Sequence, residues 1–320
     1  MPNERPFLSA SFRFEGIFDI FILMALSGTW LGLLGRWHWA LDLFSHFRWQ
    51  YLGICLVAVL WTLFRRRRLV LIVALASFLL NAWLLGSLGL GLPRQPSIGP
   101  EPLRVVSLNV LTSNPDKQRV LDYLRTTNAD IIFFMEVDSA WAQALEVLKA
   151  DYPHALMREQ EDNFGSALFS RVPLKDLRVF KNLESDMPSI QARLSLGGRE
   201  LMLIGTHPLP PIGGGMAASR DTQLRGLAEM VKKLDVPVIL VGDLNSTPWS
   251  HGMRLLRAGT ALDYRCPDPA WMPTWRVGTP FAIPIDHALC TPPLVISTRK
   301  IGPDVGSDHR PQELEVGWYP

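Results

Sequence analysis

The chain has 320 residues, of which 48% are hydrophobic and 19% are charged, so it is long enough for two domains and unusually apolar for a soluble enzyme. Its formal net charge of +2 is too small to indicate a nucleic-acid-binding surface over the whole protein. Three cysteines, Cys55, Cys266 and Cys290, do not make a disulfide framework, and the sequence leaves open whether Cys266 and Cys290 pair.

Three apolar runs, residues 17–34, 51–64 and 69–92, predict three transmembrane helices. The second run is short, so we expect its helix to begin near residue 47 or 49, with Arg48 extending to the membrane interface. A removable signal peptide is the alternative for the first run, but no small-x-small cleavage site follows it and two further apolar runs do. We therefore predict a membrane domain over residues 1–92.

Four consecutive arginines, Arg65 to Arg68, separate the second and third apolar runs and predict the orientation of the chain. Positively charged residues in short loops stay on the cytoplasmic side, so the part of the chain after Leu92 should lie on the opposite side. A nucleic-acid-binding patch or a solvated face is the alternative, but membrane-length apolar sequence flanks the arginines. We predict a multi-pass inner (plasma) membrane protein, in contact with membrane lipids, whose catalytic domain is periplasmic or extracellular.

Residues 93–102, rich in proline and glycine, predict a linker, and residues 103–320 predict a soluble domain of alternating strands and helices. The glycines 213–215 lack the lysine of a phosphate-binding loop and are interpreted as an ordinary loop or a flexible rim of the active site. Gly197-Gly198 predicts a two-residue hairpin. The predicted strands are 103–109, 130–134, 165–170, 190–196, 200–205, 237–241, 285–290 and 312–316, and the predicted helices begin at 114–115, 139 and 217.

Two predicted strands end in polar residues suited to metal binding. Asn109 ends the strand 103–109, and Glu136 follows the strand 130–134. A carboxylate in that position can hold Mg²⁺ or Mn²⁺, because these hard cations prefer oxygen ligands. A glutamate that interacts with a helix N-terminus is the alternative for Glu136.

The apolar run 237–241 is followed by Asp243-Leu244-Asn245, which places a carboxylate and a carboxamide at the end of a strand. The carboxylate can bind a cation or a water proton, and the amide can donate to a phosphoryl oxygen. The alternative is a strand that simply ends in an Asx turn. In Asp286-His287, side chains alternate across the strand, so we expect Asp286 to face the site and His287 to be structural.

These motifs together resemble the endonuclease/exonuclease/phosphatase superfamily typified by DNase I. The resemblance covers about residues 103–316 and implies an α+β fold, a four-layer αββα sandwich of two mostly antiparallel sheets, which here would follow three transmembrane helices. It also implies metal-dependent cleavage of phosphate esters. The motifs are Leu108-Asn109, Met135-Glu136, Thr206-His207, Gly242-Asp243-Leu244-Asn245, Ile285-Asp286-His287 and Ser307-Asp308-His309.

Further segments look like a membrane-anchored bacterial subgroup of this superfamily. They are Thr247-Pro248-Trp249-Ser250, His207-Pro208-Leu209-Pro210-Pro211 and Pro273-Thr274-Trp275. Some relatives in that subgroup are implicated in the dephosphorylation of polyprenyl lipid carriers and in glycopeptide resistance.

The resemblance also implies roles for the individual residues. Glu136, supported by Asn109 and Asp308, would hold Mg²⁺. His309 would act as a general base or orient the phosphate, and Asp286 would fix its tautomer. The other three residues would act on the phosphate and the water: His207 and Asn245 would donate hydrogen bonds to phosphoryl oxygens, and Asp243 would position or deprotonate the attacking water. The sequence leaves open whether Asp243 or His309 takes the proton.

The predicted function is an extracytoplasmic phosphatase or phosphodiesterase that acts on a phosphate ester, with a lipid-linked phosphate as one candidate. A membrane-anchored nuclease is the alternative, although the basic and aromatic insertions of DNA-binding members are not identifiable. A third alternative is a membrane scaffold without activity. The sequence does not indicate a protein partner.

Overall fold

The computed structural model describes residues 14–87, 101–181, 187–264 and 272–319. Most of the predicted linker, residues 93–100, lies outside the described residues, as do Cys266 and the end of the third apolar run. The linker therefore stays a prediction, and whether Cys266 and Cys290 pair stays open.

The N-terminal part of the chain is helical, as its apolar runs predict. Among the described residues, two helical stretches, 39–64 and 68–86, are long and apolar enough to cross a membrane by length and composition, and residues 19–34 form a shorter apolar stretch. Three membrane helices are thus not established, and the first stays a prediction. The helices are α1 (Phe14–Leu31), α2 (Trp39–Leu43), α3 (Arg48–Phe64) and α4 (Arg68–Gly86).

Arg48 begins α3 within the expected range, but its predicted extension to the interface is wrong. Its guanidinium is buried among the helices, where Nη1 donates to Thr29 O at 2.6 Å and to Asn81 Oδ1 at 3.3 Å. Asn81 in turn donates to Thr29 Oγ1 at 2.9 Å. These polar partners stabilise the buried cation inside the bundle, so the side chain does not extend to the interface.

The remainder of the chain forms two sheets, each mostly antiparallel with one parallel pair. The six-stranded sheet has the order β10-β11-β1-β2-β4-β3, with β1 and β2 parallel, and the five-stranded sheet has the order β5-β6-β7-β8-β9, with β7 and β8 parallel. The strands are β1 (Leu103–Asn109), β2 (Ile131–Met135), β3 (His154–Arg158), β4 (Ser166–Ser170), β5 (Lys175–Lys181), β6 (Pro188–Leu196), β7 (Arg199–Thr206), β8 (Val238–Asp243), β9 (Asp286–Cys290), β10 (Leu294–Ile301) and β11 (Gln312–Trp318).

Three apolar clusters establish the order of the layers. One lies between the two sheets and includes Phe133 and Val241. A second joins the outer face of the six-stranded sheet to α5 and α6, and a third joins the outer face of the five-stranded sheet to α7 and α8. The layers are therefore helix, sheet, sheet and helix. The outer helices are α5 (Lys117–Thr126), α6 (Ser139–Leu145), α7 (Gly214–Val231) and α8 (His251–Arg257).

The predicted hairpin is confirmed, since Gly197 and Gly198 have positive φ angles of 58° and 80° between β6 and β7. Two predicted helix starts are corrected. Helix α5 is capped by Asp116, whose Oδ1 accepts from Arg119 N at 3.1 Å, whereas Asn114 forms the turn before it. Helix α7 begins at Gly214, so the loop predicted over the three glycines ends at Gly213.

Candidate active site

The functional side chains meet where the two parallel strand pairs end. Strands β1 and β2 of one sheet and β7 and β8 of the other direct their carboxyl ends to the same end of the sandwich. The start of β9 and the loop before β11 lie at the same end. All the residues singled out from the sequence come to this region: Asn109, Glu136, His207, Asp243, Asn245, Asp286, Asp308 and His309.

Glu136 is held by hydrogen bonds to both of its carboxylate oxygens. Oε1 accepts from Asn109 Nδ2 at 2.8 Å, and Oε2 accepts from the backbone N–H of Thr112 at 3.1 Å. The backbone of Glu136 has a φ of 63°, a left-handed conformation that is costly for a residue with a side chain. Such strain concentrates at functional sites, and here it turns the carboxylate toward the cavity that it lines.

Asn109 supports Glu136 through its amide nitrogen. Its Oδ1 accepts from Leu111 N at 3.0 Å, which orients the carboxamide. The nitrogen then donates to Glu136 at 2.8 Å and lies 3.4 Å from Asp243 Oδ2. In this orientation the amide nitrogen of Asn109 fixes the carboxylate, and its role as a metal ligand stays a prediction.

The Asx turn considered as an alternative for Asp243-Leu244-Asn245 is present, and the turn itself shapes the site. Asp243 Oδ1 accepts from Asn245 N at 2.9 Å, and Asn245 Nδ2 donates to Pro208 O at 2.9 Å. Asn245 has a φ of 48°. Gly242, with a φ of 141°, is required before the turn, because a Cβ there would lie 1.9 Å from Thr206 O.

Two histidines flank the same oxygen of Asp243. Oδ2 lies 3.5 Å from His207 Nε2 and 3.6 Å from His309 Nε2. Burial alone would raise the pKa of Asp243, but the charge of His309 and the hydrogen bond from His207 outweigh it, so the pKa is lowered. Asp243 is therefore a carboxylate at neutral pH.

Asp286 holds His309 on the other side of its ring, with Oδ2 at 2.8 Å from Nδ1. Burial would lower the pKa of His309, but Asp286 and Asp243 more than offset it and raise the pKa to about 10. His287 lies on the opposite face of β9, fully buried, with Nδ1 at 3.0 Å from Tyr264 Oη and Nε2 at 2.6 Å from Ser246 O. Burial lowers its pKa to about 3, so His287 is neutral.

Asp308 lies at the exposed rim of the site. Its Oδ2 accepts from Trp275 Nε1 at 2.8 Å, and its backbone oxygen accepts from Arg276 N at 2.9 Å. Ser307, just before it, donates from Oγ to Asn109 O at 2.8 Å and accepts from His309 N at 3.1 Å. The loop before β11 is thereby fixed to the end of β1.

The donor groups suit a hard divalent cation. Three carboxylates, of Glu136, Asp243 and Asp308, line one cavity, and no lysine or arginine is among the described residues that line it. Ligand atoms of Asp243, Asp286 and His309 also lie within 4.8 Å of one another. Glu136 and Asp308, which the sequence predicts as metal ligands, line the same cavity beside these three residues.

The cavity has a volume of about 640 Å³, and one of its walls comes from the N-terminal part of the chain. Four residues of the segment 39–47 line it opposite the catalytic residues: Trp39, Leu43, His46 and Phe47. Sequence reasoning missed this wall. The available signal was the pair of polar residues, Asp42 and His46, in a short segment between two apolar runs.

Comparisons with known proteins agree with this fold. Carbon catabolite repressor protein 4 homolog 3 of Arabidopsis thaliana is 28% identical over 159 residues, which cover 45% of this chain and 36% of that protein. The chain thus spans little more than a third of the length of that relative.

Among solved structures, humanized D. rerio TDP2 with 14 mutations is similar with a TM-score of 0.57 and 19% identity, covering 68% of this chain and 99% of that one. Sphingomyelinase C from Streptomyces griseocarneus has a TM-score of 0.52 and 17% identity, covering 67% and 99%. At such identities the likeness shows the fold alone. Residues 106–309 match the model of the Endonuclease/Exonuclease/phosphatase family. Because this match covers more than half of the chain, the protein belongs to that family.

Proposed function

We propose that the protein is a metal-dependent phosphoesterase that hydrolyses lipid-linked phosphate esters at the extracytoplasmic face of the inner membrane. Members of its family are phosphoester hydrolases, generally metal-dependent. The observation that carries the proposal is the cavity, in which the catalytic carboxylates and histidines face a wall built by the segment between the first apolar helix and α3. A substrate confined to a bilayer would already be concentrated beside such a wall.

The lining of the cavity favours a lipid over a nucleic acid. Nucleic-acid binding depends on lysine and arginine contacts to phosphates, and the described lining residues include neither. Leu43, Phe47 and Ile212 instead offer apolar surface within the same cavity. A lipid chain would remove that surface from water, which is favourable.

Each site residue has a role that its contacts support. Asp243, a buried carboxylate, orients the attacking water and accepts its proton. His309 is poorly suited to be that base, because its Nδ1 is bonded to Asp286 and its pKa is raised to about 10. The imidazole of His207 and the protonated imidazole of His309 lie on either side of Asp243 and donate hydrogen bonds to the phosphoryl oxygens.

Glu136 and Asp308 would hold the cation, Mg²⁺ with Mn²⁺ as an alternative, and Asn109 keeps Glu136 in position. When bound, the cation supplies the positive charge that the phosphoryl oxygens need in a cavity lined by carboxylates. One N–H of the Asn245 amide donates to Pro208 O, and the second N–H donates to a phosphoryl oxygen of the substrate.

The contacts of the helices agree with the orientation predicted from the arginines. The turn that contains Arg65 and Arg66 lies at one end of α3, and the segment 39–47, which lines the cavity, lies at the other. The catalytic domain therefore lies at the end of the helices away from the arginines. We propose a membrane domain at 1–92, a linker at 93–102 and a catalytic domain at 103–320, as in the membrane-anchored bacterial subgroup.

The test measures, side by side and with Mg²⁺, phosphate release from polyprenyl monophosphate and strand cleavage of DNA and RNA by the full-length protein in detergent. We expect release from the lipid, abolished in Glu136→Ala and His309→Ala. Strand cleavage without lipid turnover would instead make the protein a nuclease. No turnover of either substrate, with the variants indistinguishable from wild type, would favour the scaffold.

A further inference from the structure

The short segment Trp39–Phe47, here called the bridging segment, contacts the catalytic domain through a buried carboxylate. Asp42 is 2% exposed, and its Oδ2 lies 3.2 Å from Arg220 Nη2 of α7. Its Oδ1 accepts from the backbone N–H of His251 at 2.8 Å and from Ser45 Oγ at 3.1 Å. Both oxygens are thus fixed, and one carboxylate joins α2 to two elements of the catalytic domain.

Arg220 continues this connection to the catalytic turn. It is 1% exposed, and its Nη1 donates to the backbone oxygen of Asn245 at 3.2 Å. Asn245 has the strained φ of 48° and donates its own N–H to Asp243 at 2.9 Å. A chain of three hydrogen-bonded contacts therefore runs from Asp42 through Arg220 and Asn245 to Asp243.

A second contact from the bridging segment reaches the same turn. His46 Nδ1 lies 3.1 Å from Thr247 Oγ1, and both residues are buried. Among the described residues, His46 Nε2 has no hydrogen-bond partner, and the side chain lines the catalytic cavity. The turn after β8 is thus held from one side by its own sheet and from the other by the bridging segment.

We propose that Asp42 is a positioning residue of the active site, which acts through Arg220 to hold the backbone of Asn245 and the carboxylate of Asp243 in their working geometry. The N-terminal helices are then part of the catalytic apparatus as well as an anchor. A buried ion pair adds little net stability over apolar packing, so its value lies in the geometry it imposes. This inference goes beyond the proposed function, because it concerns any phosphoester that the site accepts.

The first test compares Asp42→Asn with wild type on a water-soluble ester, bis(p-nitrophenyl) phosphate, with Mg²⁺ and full-length protein in detergent. We expect kcat to fall by about 10–100-fold, since small displacements of reacting groups have effects of this size, while KM changes little. Asp19→Asn is the matched control, because Asp19 forms an exposed ion pair with Arg67 away from the site. The control should behave as wild type.

A second variant separates positioning from folding. Arg220→Lys keeps the positive charge, but the lysine cannot reach both Asp42 and Asn245, so its kcat should fall as in Asp42→Asn. The kcat of the double variant should be no lower than that of either single variant, because both changes break the same connection. Unchanged kcat in both single variants, or losses that multiply, would overturn the proposal.

Hydrogen exchange gives a readout independent of turnover. In Asp42→Asn, the backbone amides of residues 244–250 should exchange faster, while those of β1 and β2 stay as in wild type. Equal protection of residues 244–250 in both proteins would overturn the proposal. If wild type hydrolyses no ester at all, the proposed function fails, and the exchange measurement still decides the role of Asp42.

Discussion

Replacement of Asp286 by asparagine removes one of two carboxylates that flank His309. The substitution keeps the shape of the side chain, and both residues are at least 95% buried. The rise in the pKa of His309 from 6.5 to about 10 corresponds to roughly 5 kcal/mol, at about 1.36 kcal/mol per pKa unit. Because burial opposes this rise in pKa, the carboxylates of Asp286, Asp243 and Asp308 supply it, with Asp286 the largest contributor. The Asp286→Asn variant should therefore lose a large part of the rise.

The free energy of unfolding depends on pH because the folded and unfolded chains bind the proton of His309 with different affinities. The folded protein binds the proton of His309 more tightly than the unfolded chain does, so this contribution to stability is complete below pH 6.5 and is lost as the pH rises toward 10. In wild type the free energy of unfolding should therefore decline across that range by up to about 5 kcal/mol from this group. In Asp286→Asn the pKa of His309 should return toward 6.5, and the decline should be much smaller.

The assay is denaturant unfolding at pH 6, 8 and 10, in detergent and with a chelator so that no bound cation contributes. Asp235→Asn is the matched control, since Asp235 is 78% exposed in its side chain and pairs only with Arg193 at the surface. Hydrolysis by Asp286→Asn should also fall by about 100-fold or more, as expected when a hydrogen-bond donor to the phosphoryl oxygens loses its positive charge and its fixed orientation. The reasoning is refuted if Asp286→Asn and the control show the same pH dependence.

Three further predictions concern other parts of the site. Glu136→Gln should weaken Mg²⁺ binding, measured by calorimetry, by at least about tenfold, because mutation of residues that only support a metal ligand already weakens metal binding by about 10–100-fold. An unchanged Mg²⁺ affinity would exclude Glu136 as a ligand. Gly242→Ala should reduce the free energy of unfolding by roughly 2–4 kcal/mol, because its Cβ would collide with Thr206 O, whereas Gly198→Ala, with open space, should lose only about 1 kcal/mol. His287→Phe should lose about 2–4 kcal/mol in denaturant unfolding at pH 7, because two buried polar groups lose their partner. It should also lack the wild-type fall in stability from pH 6.5 toward pH 3, since the pKa of His287 is lowered to about 3 and only the unfolded chain takes up that proton; equal slopes would contradict this role.

The central strands and the polar residues at their ends could be predicted from the sequence, because buried strands are apolar on both faces and end at recognisable turns. Strand β2, Ile131–Met135, is fully buried, and Glu136 follows it directly. Strands β3, β5 and β10 were missed for the opposite reason. They lie at the edges of their sheets, where several side chains are exposed or only half-buried and the apolar signal is weak.

The wall of the cavity could not be predicted, because it depends on contacts between residues far apart in sequence. Asp42 and Arg220 are 178 positions apart, and neither belongs to a motif. The wrong prediction that Arg48 extends to the membrane interface has the same cause. A charged residue beside an apolar run is expected to reach water, and only the fold reveals Thr29 and Asn81 as its partners.

The pairing of β1 with β11 has a practical consequence for labelling the protein. Leu103 lies opposite Val316, whereas Ser107, nearer the cavity, lies opposite Gln312. Strand β1 therefore begins, and β11 ends, at the side of the sandwich away from the cavity. A fluorescent or affinity tag fused after β11 would therefore project away from the cavity and the bridging segment, and would leave substrate access open.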